Sequence, residues 1–180
     1  FCWNNDICFD NQFFTYLKTV NVHKNKIIAP KIFSNFKKTN LNPFFNNRLS
    51  KIEKMYYKLV NFHWLTAKIF EVLGKYFNRY INHKTHKNSV VRPIYAPHGS
   101  CIIFSSEYFQ MGGYLDDGFQ MFGEELSTAE IARKLNVQIM YHPQLIMTHN
   151  DHFSTGNLSW RELYNISQST YYYLNKTYNL

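Results

Sequence analysis

Residues 99–148 read GSCIIFSSEYFQMGGYLDDGFQMFGEELSTAEIARKLNVQIMYHPQLIMT, and this stretch decides how the chain is organised. Pro97-His98-Gly99-Ser100 has turn composition and runs into Cys101-Ile102-Ile103-Phe104, a short continuous apolar run expected of a buried strand. Ser105 or Ser106 is placed to cap a short helix that ends at Gly112-Gly113. The loop Asp116-Asp117-Gly118 leads to Phe122-Gly123-Glu124-Glu125, which opens a second helix. Its apolar positions Leu126, Ala129, Ala132 and Leu135 recur at helical spacing, and Asn136 closes it. Residues 137–141 and 145–148 then read as two short strands separated by His142-Pro143. Strands alternating with helices predict an α/β layered domain.

Toward the start of the chain, residues 3–7 read as the end of a strand, and Asp10 is placed to cap a helix over 11–20 with Phe13, Phe14, Leu17 and Val20 on one face. A strand over 27–29 is expected to stop at Pro30. Residues 34–50, rich in Asn, Lys and Phe, show no period and read as a loop. From Lys51 onward Ile52, Met55, Tyr56, Leu59, Phe62, Thr66, Ile69, Leu73 and Phe77 recur at helical spacing, giving one long helix or two shorter ones over a helical insertion at 51–82. Two readings of its basic face stay open: solvent, or the headgroups of an anionic membrane surface. Residues 83–88 form a polar linker, and a C-terminal helix over 158–179 starts at Ser159 or Asn157.

The chain has 180 residues, enough for one domain with a real core, and shows no internal repeat. Phe1-Cys2-Trp3 reads as a strand already in progress, so the expectation is a single domain, 1–180, cut at its N-terminal side. Cys2, Cys8 and Cys101 are odd in number and show no paired spacing, which fits a reducing, cytoplasmic setting. Lys, Asn and His interrupt every apolar run well short of the roughly 18 residues that a spanning helix requires. A net charge of +8 calls for an anionic partner without naming one. A nucleic acid is disfavoured, because no nucleic-acid motif is present and the acidic cluster from Asp116 to Glu125 would repel a polyanion.

Read in order, the chain gives Asn4-Asn5-Asp6 at a strand end, Gly99 before a strand, Gly112-Gly113-Tyr114-Leu115-Asp116-Asp117, Gly123-Glu124-Glu125, Tyr141-His142-Pro143 and His149. This succession resembles the second half of family 2 glycosyltransferases, above all bacterial polysaccharide-building enzymes of the rhamnosyltransferase-like kind. Their pattern runs Asn-x-Asp, Gly-Gly-Phe-Asp-Glu, Gly-Glu-Asp or Gly-Glu-Glu, Tyr-x-Pro and a late His. The resemblance covers nearly the whole chain and is strongest over 95–155. It departs where Tyr114-Leu115-Asp116-Asp117 replaces Phe-Asp-Glu and where Leu126-Ser127 replaces a further Asp.

The resemblance implies a GT-A (Rossmann-like) nucleotide-diphospho-sugar transferase domain that lacks its N-terminal strands and ends in a C-terminal helix. It implies inverting, metal-assisted transfer from a nucleotide-sugar donor to a glycan or lipid-linked acceptor, at the membrane's inner face. Glu125 matches the catalytic base and Glu124 its supporting carboxylate, whose like charge is expected to raise the pair toward working pH. A Glu pair in a first helical turn also simply complements the helix dipole. Asp6 and His149 match metal ligands, for Mn²⁺ or Mg²⁺, with the imidazole tilting the choice toward Mn²⁺. Asn4, Gly99, Gly113, Asp116 and Asp117 are the expected donor- or acceptor-binding positions. The competing readings are a non-catalytic basic binding domain and an inactive remnant of the same fold.

Overall fold

The computed structural model describes residues 2–3, 6–77, 90–150 and 158–180. In chain order its elements are β1 (Cys2–Trp3), β2 (Ile7–Phe9), α1 (Phe13–Thr19), β3 (Ile27–Ser34), α2 (Lys51–Val60), α3 (Trp64–Phe77), β4 (Arg92–Ile94), β5 (Cys101–Phe104), α4 (Ser106–Gln110), α5 (Glu124–Lys134), β6 (Ile139–His149) and α6 (Trp160–Tyr178). The chain is mixed α/β and divides into two compact units. One comprises Phe1–Arg48, Ser89–Asp117 and Glu124–Gly156; the other comprises Leu49–Asn88, Gly118–Gly123 and Asn157–Leu180.

The first unit is a mixed sheet in the order β1-β5-β3-β6-β2, with β4 also on β6. Its centre is the parallel pair β3 and β6, and every other pairing is antiparallel. A strand covered on both faces needs a nearly continuous apolar run, which Ile27-Ile28-Ala29-Pro30 and the buried Ile32 supply. Phe13 from α1 joins Ile28, Ile32, Cys101, Ile103, Leu145 and Met147 in one core cluster. Each fully buried aliphatic side chain there contributes about 1.5–3 kcal/mol relative to exposure.

Pro30 does not end β3, as the sequence suggests, and His142-Pro143 does not divide β6. Both departures have one cause. Pro30 pairs with His142 but Lys31 pairs with Ile146, so Pro143, Gln144 and Leu145 have no counterpart on β3. Proline offers no amide to a ladder, and an irregular register is where a sheet tolerates it. The helix expected over 11–20 begins later, because Asp10 uses its carboxylate on the Gln12 amide (2.9 Å) in a turn that precedes α1.

α5 packs its Ser127–Ala132 stretch inward, including the fully buried Glu130. That carboxylate receives Arg48 Nε (2.7 Å), Arg133 Nε (2.9 Å) and the Tyr95 hydroxyl (2.6 Å). Burial alone would push it up, but these three donors together hold it below the ordinary carboxylate range.

In the second unit, α2 and α6 each begin with a complete capping box, Ser50 with Glu53 and Ser159 with Glu162. The periodic stretch from Lys51 is two helices, interrupted at Asn61–His63; residues 78–82 of that expected insertion lie outside the described residues, as does the linker at 83–88. Gln168 Nε2 donates to the Asn61 carbonyl (2.7 Å), and Thr170 Oγ1 donates to the Met121 carbonyl (2.7 Å). No helix among the described residues is long and apolar enough to cross a membrane.

Candidate functional site

The antiparallel register that pairs Ile7 with His149 brings Asp6, in the turn before β2, against the end of β6. The backbone fixes this further, since the Asn150 amide donates to the Asp6 carbonyl (3.0 Å). Asp6 Oδ1 then lies 3.1 Å from His149 Nε2, with both side chains nearly buried. Among the described residues, neither carboxylate oxygen of Asp6 accepts a conventional hydrogen bond. Buried carboxylate oxygens are normally satisfied, so this arrangement suits a cation that is bound jointly by an oxygen and an imidazole nitrogen.

His98 extends the cluster. Its ring centre is 6.3 Å from that of His149, and its Nδ1 lies 2.7 Å from Ser100 Oγ. The backbone amide of His98 donates to Asn42 Oδ1 (2.7 Å), while Asn42 Nδ2 donates to the Pro30 carbonyl (2.8 Å). A wholly buried Asn42 thus ties the 97–100 turn to the centre of the sheet.

One residue further on, the Gly99 amide donates to Glu125 Oε1 (3.0 Å) in the first turn of α5. A Cβ on Gly99 would lie 2.9 Å from that same oxygen and 3.3 Å from Glu124 Cβ, so glycine is what lets the turn meet the helix start. Burial pushes the Glu125 carboxyl up to about 7, helped by the adjacent Glu124 charge and opposed by the amide hydrogen bonds it accepts. The expected direction holds, but burial outweighs the like charge that the sequence offered as its cause. Beside it is a cleft of about 140 Å³ lined by Gly99, Ile102, Phe104, Leu115, Asp116, Glu124, Ser127 and Thr128.

The structure therefore joins Asp6 to His149, and Gly99 to Glu124, Glu125 and Asp116, with the His98 turn linking the two groups. Asp117 is exposed and is not part of the cleft lining. Gly113 has a local reason to be glycine: a Cβ there would sit 2.5 Å from the Tyr108 ring, whose hydroxyl donates to the Tyr114 carbonyl (2.9 Å). Asn4 lies outside the described residues. Among those residues no cluster of three or more His, Cys, Asp or Glu side chains surrounds a cation position.

No known family matches this chain, and no characterised protein is significantly similar to it. What the site can do is argued from its residues. His98 and Asn42 are absent from the sequence-based set. A His beside a Gly in a turn is an ordinary loop signal, and an Asn next to a Pro is another, so neither stood out before the sheet brought them together.

Proposed function

We propose that this chain is a glycosyltransferase domain of the GT-A type, and that it performs inverting transfer from a nucleotide-diphosphate sugar to a glycan or lipid-linked acceptor in the cytoplasm. The observation that supports the reading is the 98–99 turn, where Gly99 holds Glu125, raised to about 7, beside a cleft and His98 stands against His149 of the buried Asp6–His149 pair. A base poised near neutrality balances availability against proton affinity.

In this reading the acceptor hydroxyl attacks the anomeric carbon as its proton passes to Glu125. The C–O bond to the diphosphate breaks, its electron pair leaves with the nucleotide, and the sugar configuration inverts. The Gly99 amide donates to Oε1 of Glu125 and so fixes the orientation of the carboxylate that would take the proton. Glu124 and Asp116 line the cleft where sugar hydroxyls need acceptors. Asp6 and His149 would hold Mn²⁺ or Mg²⁺, which when bound neutralises charge developing on the departing diphosphate. Two protein ligands are few for a cage, but such cations take much of their shell from substrate phosphates and water.

The test is turnover of a panel of nucleotide-diphosphate sugars by the purified protein with Mn²⁺, read as nucleotide diphosphate released. Glu125→Gln should lower kcat by roughly two to four orders of magnitude while donor affinity barely changes. Asp6→Asn should weaken metal-dependent donor binding as well as turnover. Full activity in both Glu125→Gln and Glu124→Gln would leave the pair as a helix-dipole feature and end the catalytic reading.

A further inference from the structure

α2 is amphipathic, and it packs the unexpected way round. Ile52, Met55, Tyr56 and Leu59 share one face by their spacing, and all four are exposed, Ile52 at 75%. The side that packs inward carries Lys54 and Tyr57, with Lys54 Nζ donating to the Asn179 carbonyl (3.1 Å). α3 repeats the pattern. Leu65, Ile69, Val72 and Leu73 form an exposed stripe, while Ala67 is buried on the other side. Phe62, 70% exposed, stands in the connecting turn between the two stripes, and Tyr56 meets Phe70 edge to face, 5.2 Å between ring centres. A soluble surface rarely leaves contiguous apolar area of this extent without an occupant.

The charges beside the stripes indicate which occupant. Lys51 and Lys58 lie seven residues apart along one flank of the α2 stripe, and both are exposed. Lys68 flanks the α3 stripe, 4.5 Å from the centre of the Trp160 ring. Glu53 is on the opposite flank of α2, held in the capping box, and Glu71 is paired with Lys68 at 3.0 Å. Apolar side chains bordered by the exposed Lys51 and Lys58 match an anionic bilayer surface, with hydrocarbon below and phosphate beside. A second copy of the chain fits worse, because a symmetric interface would set the same lysines around both halves.

We propose that the α2–α3 hairpin seats this protein on an anionic phospholipid surface, with Ile52, Met55, Leu59, Phe62, Leu65 and Ile69 entering the headgroup region. This mode of attachment needs no spanning helix and does not depend on the glycosyltransferase reading, so either can fail alone.

The test is co-sedimentation of the purified protein with vesicles of phosphatidylcholine, alone or mixed with phosphatidylglycerol. Sedimentation velocity without lipid is run in parallel. Binding is expected to the mixed vesicles and to weaken as salt is raised. The triple variant Ile52→Ser/Phe62→Ser/Ile69→Ser should lose roughly a hundredfold or more in partitioning. These positions are exposed, so its far-UV circular dichroism should match the parent. If it does not fold, Lys51→Glu/Lys58→Glu serves instead, and should remove the preference for the anionic vesicles. Equal binding of the parent to neutral vesicles, no binding to the mixed ones, retained binding by the folded triple variant, or an unchanged anionic preference in the lysine variant overturns the proposal. So does a stable dimer that the triple variant dissolves while vesicle binding is absent.

Discussion

At the scale of single residues, the proposed role of Glu125 sets stability against chemistry. Its folded carboxyl titrates near 7 against an ordinary value of 4.5, so between those pH values the folded state holds the proton and the unfolded state does not. Stability from this group therefore falls as pH rises through that window, by up to about 3 kcal/mol in total. His142 acts in the opposite sense: burial lowers its imidazole, so the unfolded state protonates first as pH falls from neutral. Only a difference between variants isolates Glu125. Glu125→Gln should match the parent in urea unfolding near pH 4.5 and exceed it by up to about 3 kcal/mol at pH 8. A constant offset across that range would mean that Glu125 is not raised. Gly99→Ala tests the contact from the other side. The added methyl meets the Glu125 carboxylate at 2.9 Å and Glu124 Cβ at 3.3 Å, so the helix start must give slightly and the melting temperature should fall by only a few degrees. Displacing Glu125 should nevertheless cut turnover by roughly ten- to a hundredfold, with donor affinity retained. An unchanged kcat would show that the Gly99 amide does not position the base.

At the scale of elements, the strands and caps make unequal contributions that can be measured. Ile32 is fully buried in β3, and Ile32→Ala should cost about 2–5 kcal/mol by leaving a cavity in a two-sided layer. Ser159 caps α6 at the surface, and Ser159→Ala should cost only about 1 kcal/mol. Chemical denaturation of the two variants checks both, and a reversed ranking would contradict the core described above. The α/β class was legible in the sequence because β5, α4 and α5 each announce themselves through an apolar run, a Ser cap or helical spacing. The paths of β3 and β6 through Pro30 and Pro143 were not legible. A local reading stops a strand at proline, and only the partner strand shows where the register can absorb one. The exposed apolar face of α2 was equally hidden, since periodicity gives the stripe but not which side of the helix meets the protein.

At the scale of the whole molecule, the central strands and the α2–α3 hairpin should differ in how often they open. Amides of β3, β5 and β6 lie in the core layer and should exchange with solvent only on global unfolding, whereas those of α2, which buries no residue, should exchange through cheaper local openings. Hydrogen exchange at residue resolution tests this, and uniform protection across both would refute it. The positions of the candidate site were legible as an order of residue types along the chain. That order could not say which residues meet, because Asp6 reaches His149 only by a pairing across almost the whole length described. The same pairing sets a schedule during synthesis. A nascent chain can form α1 early, but β3 waits for both of its partners, β5 and β6, and Asp6 has no His149 imidazole beside it until residue 149 has left the ribosome. Until then Asp6 lacks its partner in the proposed cation site, so any competence for metal arrives late and all at once.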